Sequence, residues 1–167
     1  EIACRIARTC RRLGVAAAGV HSSADRAALH VDLIGESIEI GGASAAESYL
    51  RIDAVIDAAR RTGSQAIHPG FGFLAENAVF ARAVEAAGLV FIGPTPEVIE
   101  RLGDKASAKR EARAAGVAVL GGSELPSRDA TEVAAIVRGL PLPVILKAAA
   151  GGGGKGMRVV QQLEGLM

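Results

Sequence analysis

The sequence predicts an α/β fold built on a parallel sheet that leads into the beginning of a second domain. Two patterns carry this prediction. Amphipathic helices alternate with short apolar strands over the first half of the chain, and a run of glycines near residue 150 stands between two extended segments. Alternation of helices with apolar strands is typical of a parallel sheet covered by helices on both faces.

The first element is an amphipathic helix over residues 1–13. Its apolar residues recur at helical spacing, and arginines occupy most of the other positions. Gly14 ends the helix, and residues 15–20 are predicted to form a buried strand that leads into a polar loop. Cys4 and Cys10, the only cysteines, match no metal or disulfide spacing, so we interpret them as small core residues.

The alternation continues to residue 96 and makes the first domain Rossmann-like. Its remaining elements are one or two strands within residues 32–40, a helix over 49–61 closed by Gly63, a strand over 65–68, a helix over 77–87 closed by Gly88, and a strand over 89–92.

Ligands of such sheets gather at the carboxyl ends of the strands, which draws attention to the loop over residues 68–77. It holds His68, Glu76 and two phenylalanines within ten residues. From composition alone, Phe71 and Phe73 are expected to fill gaps in the core, and His68 is expected to be a hydrogen-bonded structural residue.

Two helical stretches within residues 97–116 follow, separated by Gly103-Asp-Lys105. Asp104 is predicted to cap the second helix, with Lys105 in its first turn. A cation there opposes the helix dipole, so Lys105 is either a solvated surface lysine or a residue placed to pair with a phosphate.

The glycine run Gly151, Gly152, Gly153 and Gly154 is bracketed by Lys147 and Lys155 and lies between predicted strands at 143–146 and 157–160. Backbone amides in such a run can point together at an anion. A Walker-type phosphate loop is excluded, because Ala149 stands where its first glycine belongs, Gly156 stands where its hydroxyl belongs, and no helix follows. A hairpin lid fits better, and a flexible linker is the alternative.

Composition excludes several classes of function. The 167 residues are 50% hydrophobic and 3% aromatic, with 19 Lys and Arg against 18 Asp and Glu, so no basic or base-stacking surface for nucleic acid is indicated. No apolar stretch reaches the roughly 20 residues that span a bilayer. We expect a cytoplasmic or organelle-matrix protein. The ends at Glu1 and Met167 suggest a piece of a longer chain.

Three segments taken in order resemble the biotin carboxylase family: residues 68–77, then residues 91–94 with 103–105, then residues 143–147 with the glycine loop. The resemblance extends to residues 1–3, 20–26 and 48–50 and so covers essentially the whole chain. It implies an N-terminal, pre-ATP-grasp domain over residues 1–96, lacking its first strand, and the truncated start of an ATP-grasp domain over residues 97–167 that includes a glycine-rich lid.

The resemblance implies ATP-dependent carboxylation of carrier-bound biotin. In this family bicarbonate attacks the γ-phosphate of ATP in the presence of Mg²⁺ (or Mn²⁺), and the resulting carboxyphosphate yields CO₂ for the ureido nitrogen of biotin. The implied partners are a biotin carboxyl carrier domain or protein, a carboxyltransferase, and a second copy of the chain or a larger assembly, with no nucleic acid or membrane. The acyl acceptor is left open.

The resemblance also implies which residues of this chain occupy the positions of the family's site residues. Lys105 and Lys147 match ATP-contacting lysines, and Gly151 to Gly154 match the lid over the phosphates; His68, Glu76, Lys155 and Gly156 are further candidates. No catalytic or metal-binding residue is assigned, because the Mg²⁺, bicarbonate and biotin sites are expected beyond Met167. Arg5 and Arg8 match a region at the homodimer interface of the bacterial enzyme.

The chain departs from the family pattern at Ala149 and Ala150, where Ser-Gly is usual, and at Phe71 and Ala75, where Tyr and Ser are usual. The family's opening strand would precede Glu1, so the 167 residues alone are expected to fold poorly and to complete no turnover. The alternatives are an ATP-grasp ligase without biotin and a non-catalytic nucleotide-binding module.

Overall fold

The computed structural model describes residues 1–120, 129–147 and 156–162. The chain forms two compact units, Glu1–Glu100 and Arg101–Met167. Helices and parallel strand pairs alternate in the first unit, which confirms the predicted α/β class. The boundary that we placed between residues 96 and 97 stays a prediction.

The helices and strands up to residue 103 follow one another in short segments joined by turns. They are α1 (Ile2–Arg12), β1 (Gly19–His21), α2 (Leu29–Ile34), β2 (Ser37–Glu39), α3 (Ile52–Arg61), β3 (Ala66–Ile67), α4 (Ala78–Ala86), β4 (Val90–Phe91) and α5 (Pro96–Gly103). One-turn 3₁₀ helices lie at Ser23–Asp25, Ala45–Glu47 and Phe73–Glu76.

The strands of the first unit form two parallel pairs. β1 pairs with β2, and β3 pairs with β4, in two separate two-stranded sheets of the described chain. The predicted strand over residues 15–20 is wrong in its first four residues. Its ladder begins only where the Gly19 amide donates to the Glu36 carbonyl at 2.8 Å, and Val15 is exposed. A strand extends only as far as it has a hydrogen-bonding neighbour.

Residues 32–40, predicted to contain one or two strands, instead contain the end of a helix and one short strand. Residues 32–34 belong to α2, which packs against α1, and the Arg11 guanidinium donates to the Leu33 carbonyl at 3.0 Å. Gly35, with φ of +84°, ends α2, which leaves only Ser37–Glu39 as strand. The tertiary contact with α1 outweighs the weak local preference of this stretch.

The largest core cluster of the first unit is centred on α4. Phe80 is 1% exposed and meets Phe91 edge to face, with ring centroids 5.9 Å apart. The other buried members come from α3, the turn before α4, α4 itself and α5: Ile56, Leu74, Ala78, Ala81, Val84 and Ile99. Cys4 is buried as predicted, whereas Cys10 is only half-buried.

In the second unit the structure has α6 (Lys105–Ala114), α7 (Ala130–Arg138), β5 (Val144–Lys147) and β6 (Met157–Val160). The two strands pair antiparallel, with Lys147 opposite Met157, which confirms the predicted strands on either side of the glycine run. Helix α7 was not predicted from the sequence. Within the described ranges, no helix is long and apolar enough to cross a membrane.

Candidate functional site

Lys105 is the first residue of α6, immediately after the residue that caps this helix. The Asp104 carboxylate accepts a hydrogen bond from the Ser107 amide at 2.8 Å, which confirms the predicted cap. This bond lowers the pKa of Asp104, so the carboxylate is ionised at neutral pH. Lys105 is exposed and lies in the first turn of α6, whose backbone amides favour an anion.

The second half of α6 is tied to the end of α5. Arg101 and Glu111 form an ion pair on the surface, with the Arg101 Nε donating to Glu111 Oε1 at 3.2 Å and a second, shorter contact through Nη2. Two parallel bonds between a guanidinium and a carboxylate restrict the orientation of both groups. The pair thus links the two helices that flank Asp104.

Lys147 is the last residue of β5. Side chains alternate across a strand, so Lys147 shares the exposed face of the hairpin with Ile145, while Val144 and Leu146 are half-buried on the other face. Cross-strand pairing with Met157 fixes its backbone. The Lys147 ammonium is therefore displayed at the point where the chain enters the connection between the two strands.

The glycine run itself cannot be compared with its prediction. Gly151, Gly152, Gly153, Gly154 and Lys155 lie outside the described residues. Gly156 is described and has a φ of +71°, a conformation that glycine adopts without strain, directly before β6.

Lys105 and Lys147 both belong to the second unit and are both exposed. Ammonium groups and helix-terminal amides are the donors that bind phosphate oxygens. Over the described parts of the chain, no group of three or more His, Cys, Asp or Glu residues is placed to hold a metal ion.

The loop over residues 68–77 lies in the first unit and is held by short local bonds. The Gly70 amide donates to Nδ1 of His68 at 3.0 Å, so His68 is exposed but has a partner, in line with the hydrogen-bonded role expected for it. Glu76 is exposed at the end of the 3₁₀ turn. Asn77 closes the loop by accepting a hydrogen bond from the Phe80 amide at 3.0 Å, which caps α4.

The expectation that Phe71 and Phe73 fill the core is wrong. They are 80% and 61% exposed, and Leu74 is the loop residue that enters the core. Phe73 has a φ of +46°, a left-handed conformation that costs about 1–2 kcal/mol for a residue with a side chain. Gly70 and Gly72 have positive φ as well, and this succession of turns directs the aromatic side chains away from the core.

Tyr49 joins this loop to the loop after β1, and the sequence analysis did not single it out. Its ring stacks on Phe73, with centroids 5.6 Å apart and 14° between the planes. Its hydroxyl donates to Asp25 Oδ2 at 2.5 Å and accepts from the Ser22 amide at 2.9 Å. The Ser22 hydroxyl also donates to Asp25 Oδ2, at 2.9 Å.

These hydrogen bonds determine the charge states of Asp25 and Tyr49. The hydrogen bond from Tyr49, supported by the one from Ser22, lowers the pKa of Asp25 below its ordinary 3.8. Burial, together with the bond to Asp25, raises the pKa of Tyr49 above its ordinary 10.0. The carboxylate is therefore ionised and the phenol neutral over the physiological range. The only sequence signal for Tyr49 was its place in residues 48–50, one of the segments of the family resemblance.

Comparison with protein-family models gives a match for each part of the chain. Residues 1–99 match the model described as biotin carboxylase, N-terminal domain. Residues 104–167 match the model described as carbamoyl-phosphate synthase L chain, ATP binding domain.

Similar curated proteins include the biotin carboxylase of Pseudomonas aeruginosa, 55% identical over 161 residues, which are 96% of this chain and 36% of the relative. Another is the mitochondrial methylcrotonoyl-CoA carboxylase subunit alpha of Oryza sativa, 49% identical over 164 residues, which are 98% of this chain and 22% of the relative. The chain thus spans about a third or less of the length of these relatives.

Among solved structures, the chain is similar to the biotin carboxylase domain dimer of the 2-oxoglutarate carboxylase of Hydrogenobacter thermophilus, in complex with MgADP, ADP and bicarbonate. The TM-score is 0.90 at 42% identity, over 99% of this chain and 36% of that one. A biotin carboxylase complex with β,γ-ATP from Campylobacter jejuni gives a TM-score of 0.90 at 43% identity, over 99% of this chain and 37% of that one.

Proposed function

Because the chain belongs to the biotin carboxylase family, we propose that it forms the N-terminal part of an enzyme that cleaves ATP to carboxylate carrier-bound biotin with bicarbonate. The observation that carries this proposal is the 55% identity with a biotin carboxylase across 96% of the chain, since this similarity takes in both compact units. The carboxylases among the other similar proteins support the same reaction class.

We assign the binding of the ATP phosphates to Lys105 and Lys147. Phosphoryl transfer needs little covalent help from a protein and depends on positioning the phosphates and neutralising their charge. Lys105 brings a positive charge to a capped helix N-terminus, and Lys147 brings another to the end of the paired strand β5. This donor set fits a polyphosphate.

The glycines Gly151 to Gly154, with Lys155 and Gly156, are proposed to cover the phosphates from the connection between β5 and β6. A segment without side chains lets backbone amides approach phosphate oxygens closely. Covering the site would also keep water from carboxyphosphate, which hydrolyses readily. His68 and Glu76, which lie in the first unit, are proposed as further site residues because they match a family loop near the active site.

Mg²⁺, when bound with ATP, would neutralise further phosphate charge. The described residues offer no acidic cluster that fits it, so no ligand of the ion is assigned to them. The proposed partners are a biotin carrier, a carboxyltransferase and a second copy of the enzyme, the last because the Hydrogenobacter relative is a dimer. A bacterial cytoplasm or an organelle matrix is the proposed location.

The test uses the full-length protein and measures ADP release from ATP with and without bicarbonate and free biotin. The key variant is Lys147→Ala, and the control is Lys109→Ala, which removes a lysine from the same unit, one turn beyond Lys105 on α6. We expect release that requires both substrates. Loss of a charge-assisted hydrogen bond should lower kcat/KM for ATP by about tenfold to hundredfold in Lys147→Ala, and the control should stay within about twofold.

ADP release that ignores biotin would contradict the proposal and favour an ATP-grasp ligase of another kind. That alternative has support in the match of residues 104–167 to the ATP-binding domain of carbamoyl-phosphate synthase. Tight ATP binding without any hydrolysis would instead indicate a nucleotide-binding module.

A further inference from the structure

The loop over residues 68–77 has little anchorage in the core. Leu74 is its buried apolar side chain, whereas both phenylalanines and the two candidate site residues, His68 and Glu76, are exposed. Phe73 is the one residue other than glycine with a positive φ in the described ranges. A bulky residue keeps such a conformation only where its surroundings impose it, and core packing does not do so here.

Tyr49 supplies the contact that core packing does not. The near-parallel stack of its ring on Phe73 covers one face of an aromatic side chain that is otherwise largely exposed to solvent. Stacked aromatic pairs contribute stability beyond the area that they bury. The ring of Tyr49 can therefore hold Phe73 in place only to the extent that Tyr49 itself is fixed.

The other end of Tyr49 is fixed by two different hydrogen bonds. Its hydroxyl donates to the Asp25 carboxylate and accepts from the Ser22 amide, so both roles of the group are used. Ser22 is fully buried, and the next amide, that of Ser23, donates to the Gly41 carbonyl at 2.9 Å. The residues that bind the Tyr49 hydroxyl thus belong to a packed part of the first unit. One of them, Asp25, is ionised, which strengthens its hydrogen bond with Tyr49.

We propose that Tyr49 is a positioning residue: clamped by Asp25 and Ser22, it holds Phe73 in its left-handed conformation and so sets the shape of the loop that carries His68 and Glu76. The role in catalysis rests on the proposed function, in which His68 and Glu76 of this loop are candidate site residues. Tyr49 touches none of the reacting groups in this scheme and acts through Phe73.

The first measurement is hydrogen exchange of the loop amides in the full-length protein. The Ala75 and Asn77 amides are the reporters, because each donates to a carbonyl within the loop, at 2.9 and 3.1 Å. Tyr49→Leu, which loses ring and hydroxyl, should speed their exchange by about tenfold, and Tyr49→Phe, which keeps the ring, should speed it less.

Thr62→Val is the matched control. It also deletes a hydroxyl that is hydrogen-bonded within the first unit, to the Ala58 carbonyl at 3.0 Å, but outside the loop. It should leave the exchange of the loop amides unchanged. If Tyr49→Leu prevents folding, Tyr49→Phe and Asp25→Asn provide the same comparison. Loop exchange that is the same in the Tyr49 variants and the control overturns the proposal.

The second measurement is biotin-dependent turnover of the same variants. Because ATP binding is assigned to lysines of the second unit, Tyr49→Phe should lower kcat by about tenfold and change KM for ATP by less than about twofold. Faster loop exchange with unchanged kcat overturns the catalytic part and leaves Tyr49 with a structural role. If the wild type itself shows no biotin-dependent turnover, the proposed function fails, and the exchange data still decide whether Tyr49 holds the loop.

Discussion

Replacing Phe80 by alanine tests whether α4 packs against the core as described, and hence whether the end of the 68–77 loop is held in place. Phe80 lies three residues after Asn77, the cap of α4. It is 1% exposed and belongs to the core cluster that also contains Phe91 and Leu74. The loop enters this cluster through Leu74, so weakening the cluster should loosen the loop.

The expected loss of stability follows from the burial of the side chain. Phe→Ala at a fully buried site costs about 3–5 kcal/mol, because the transfer free energy is lost and a cavity remains. The edge-to-face contact with Phe91 contributes about 0.5–1.5 kcal/mol of this. The neighbouring Val79 is 64% exposed, so Val79→Ala should change stability by no more than about 0.5 kcal/mol.

Native-state hydrogen exchange of the α4 amides in the full-length protein gives the opening free energy of this region without assuming that the whole chain unfolds in two states. A double-mutant cycle of Phe80→Leu with Phe91→Leu isolates the ring contact, with an expected coupling of about 0.5–1.5 kcal/mol. If Phe80→Ala costs no more than Val79→Ala, the reasoning is refuted, since α4 would then not be held by this face.

Three further predictions concern the same unit. Protection of the loop amides should be constant from neutral pH to about pH 4 and fall at lower pH. The pKa of Asp25 is lowered in the folded state, so its contribution to stability is present above 3.8 and is lost as pH falls through the folded-state value. Asp25→Asn should abolish this pH dependence in exchange measurements. Asn77→Ala should destabilise α4 by about 1 kcal/mol and Asn77→Asp by clearly less, measured by exchange of its first-turn amides. Gly41→Ala should lower the thermal unfolding temperature much more than Gly14→Ala. A Cβ at Gly41 would lie 1.9 Å from the Glu47 carbonyl oxygen, whereas a Cβ at Gly14 would meet nothing within 4 Å. Equal effects of the two substitutions would contradict the close backbone approach at Gly41.

The features that the sequence predicted correctly are those with a local cause. Gly63 and Gly88 end helices because each adopts a positive φ that other residues avoid. Asp104 caps α6 with a carboxylate three residues from its partner amide. The extended segments on either side of the glycine run, β5 and β6, are close in the sequence and pair with each other in antiparallel orientation.

The features that it missed depend on distant residues. Tyr49 meets Asp25 and Phe73, which are both 24 residues away in the sequence, and no local pattern records such a contact. The exposure of Phe71 follows from a backbone turn that hydrophobicity does not encode. The predicted strand over residues 15–20 begins before the observed one, because apolar composition does not show how far a neighbouring strand extends.

In the candidate site, too, the features that can be predicted from the sequence are the local ones. Lys105 and Lys147 lie next to a helix start and in a hairpin strand, which are both local features that the sequence predicts and the structure contains. Their joint role in binding phosphate is a proposal, because that role also depends on the bound nucleotide and on residues 148–156 between β5 and β6.

The pairing of strands in chain order has a consequence for biosynthesis. In each described sheet a strand pairs with the next strand along the chain, β1 with β2, β3 with β4 and β5 with β6. In the first unit each pair therefore closes a loop that contains one α-helix, and the entropic cost of closing a loop grows only slowly with its length. At translation rates of about 5–20 residues per second, each pair can form soon after its second strand leaves the ribosome.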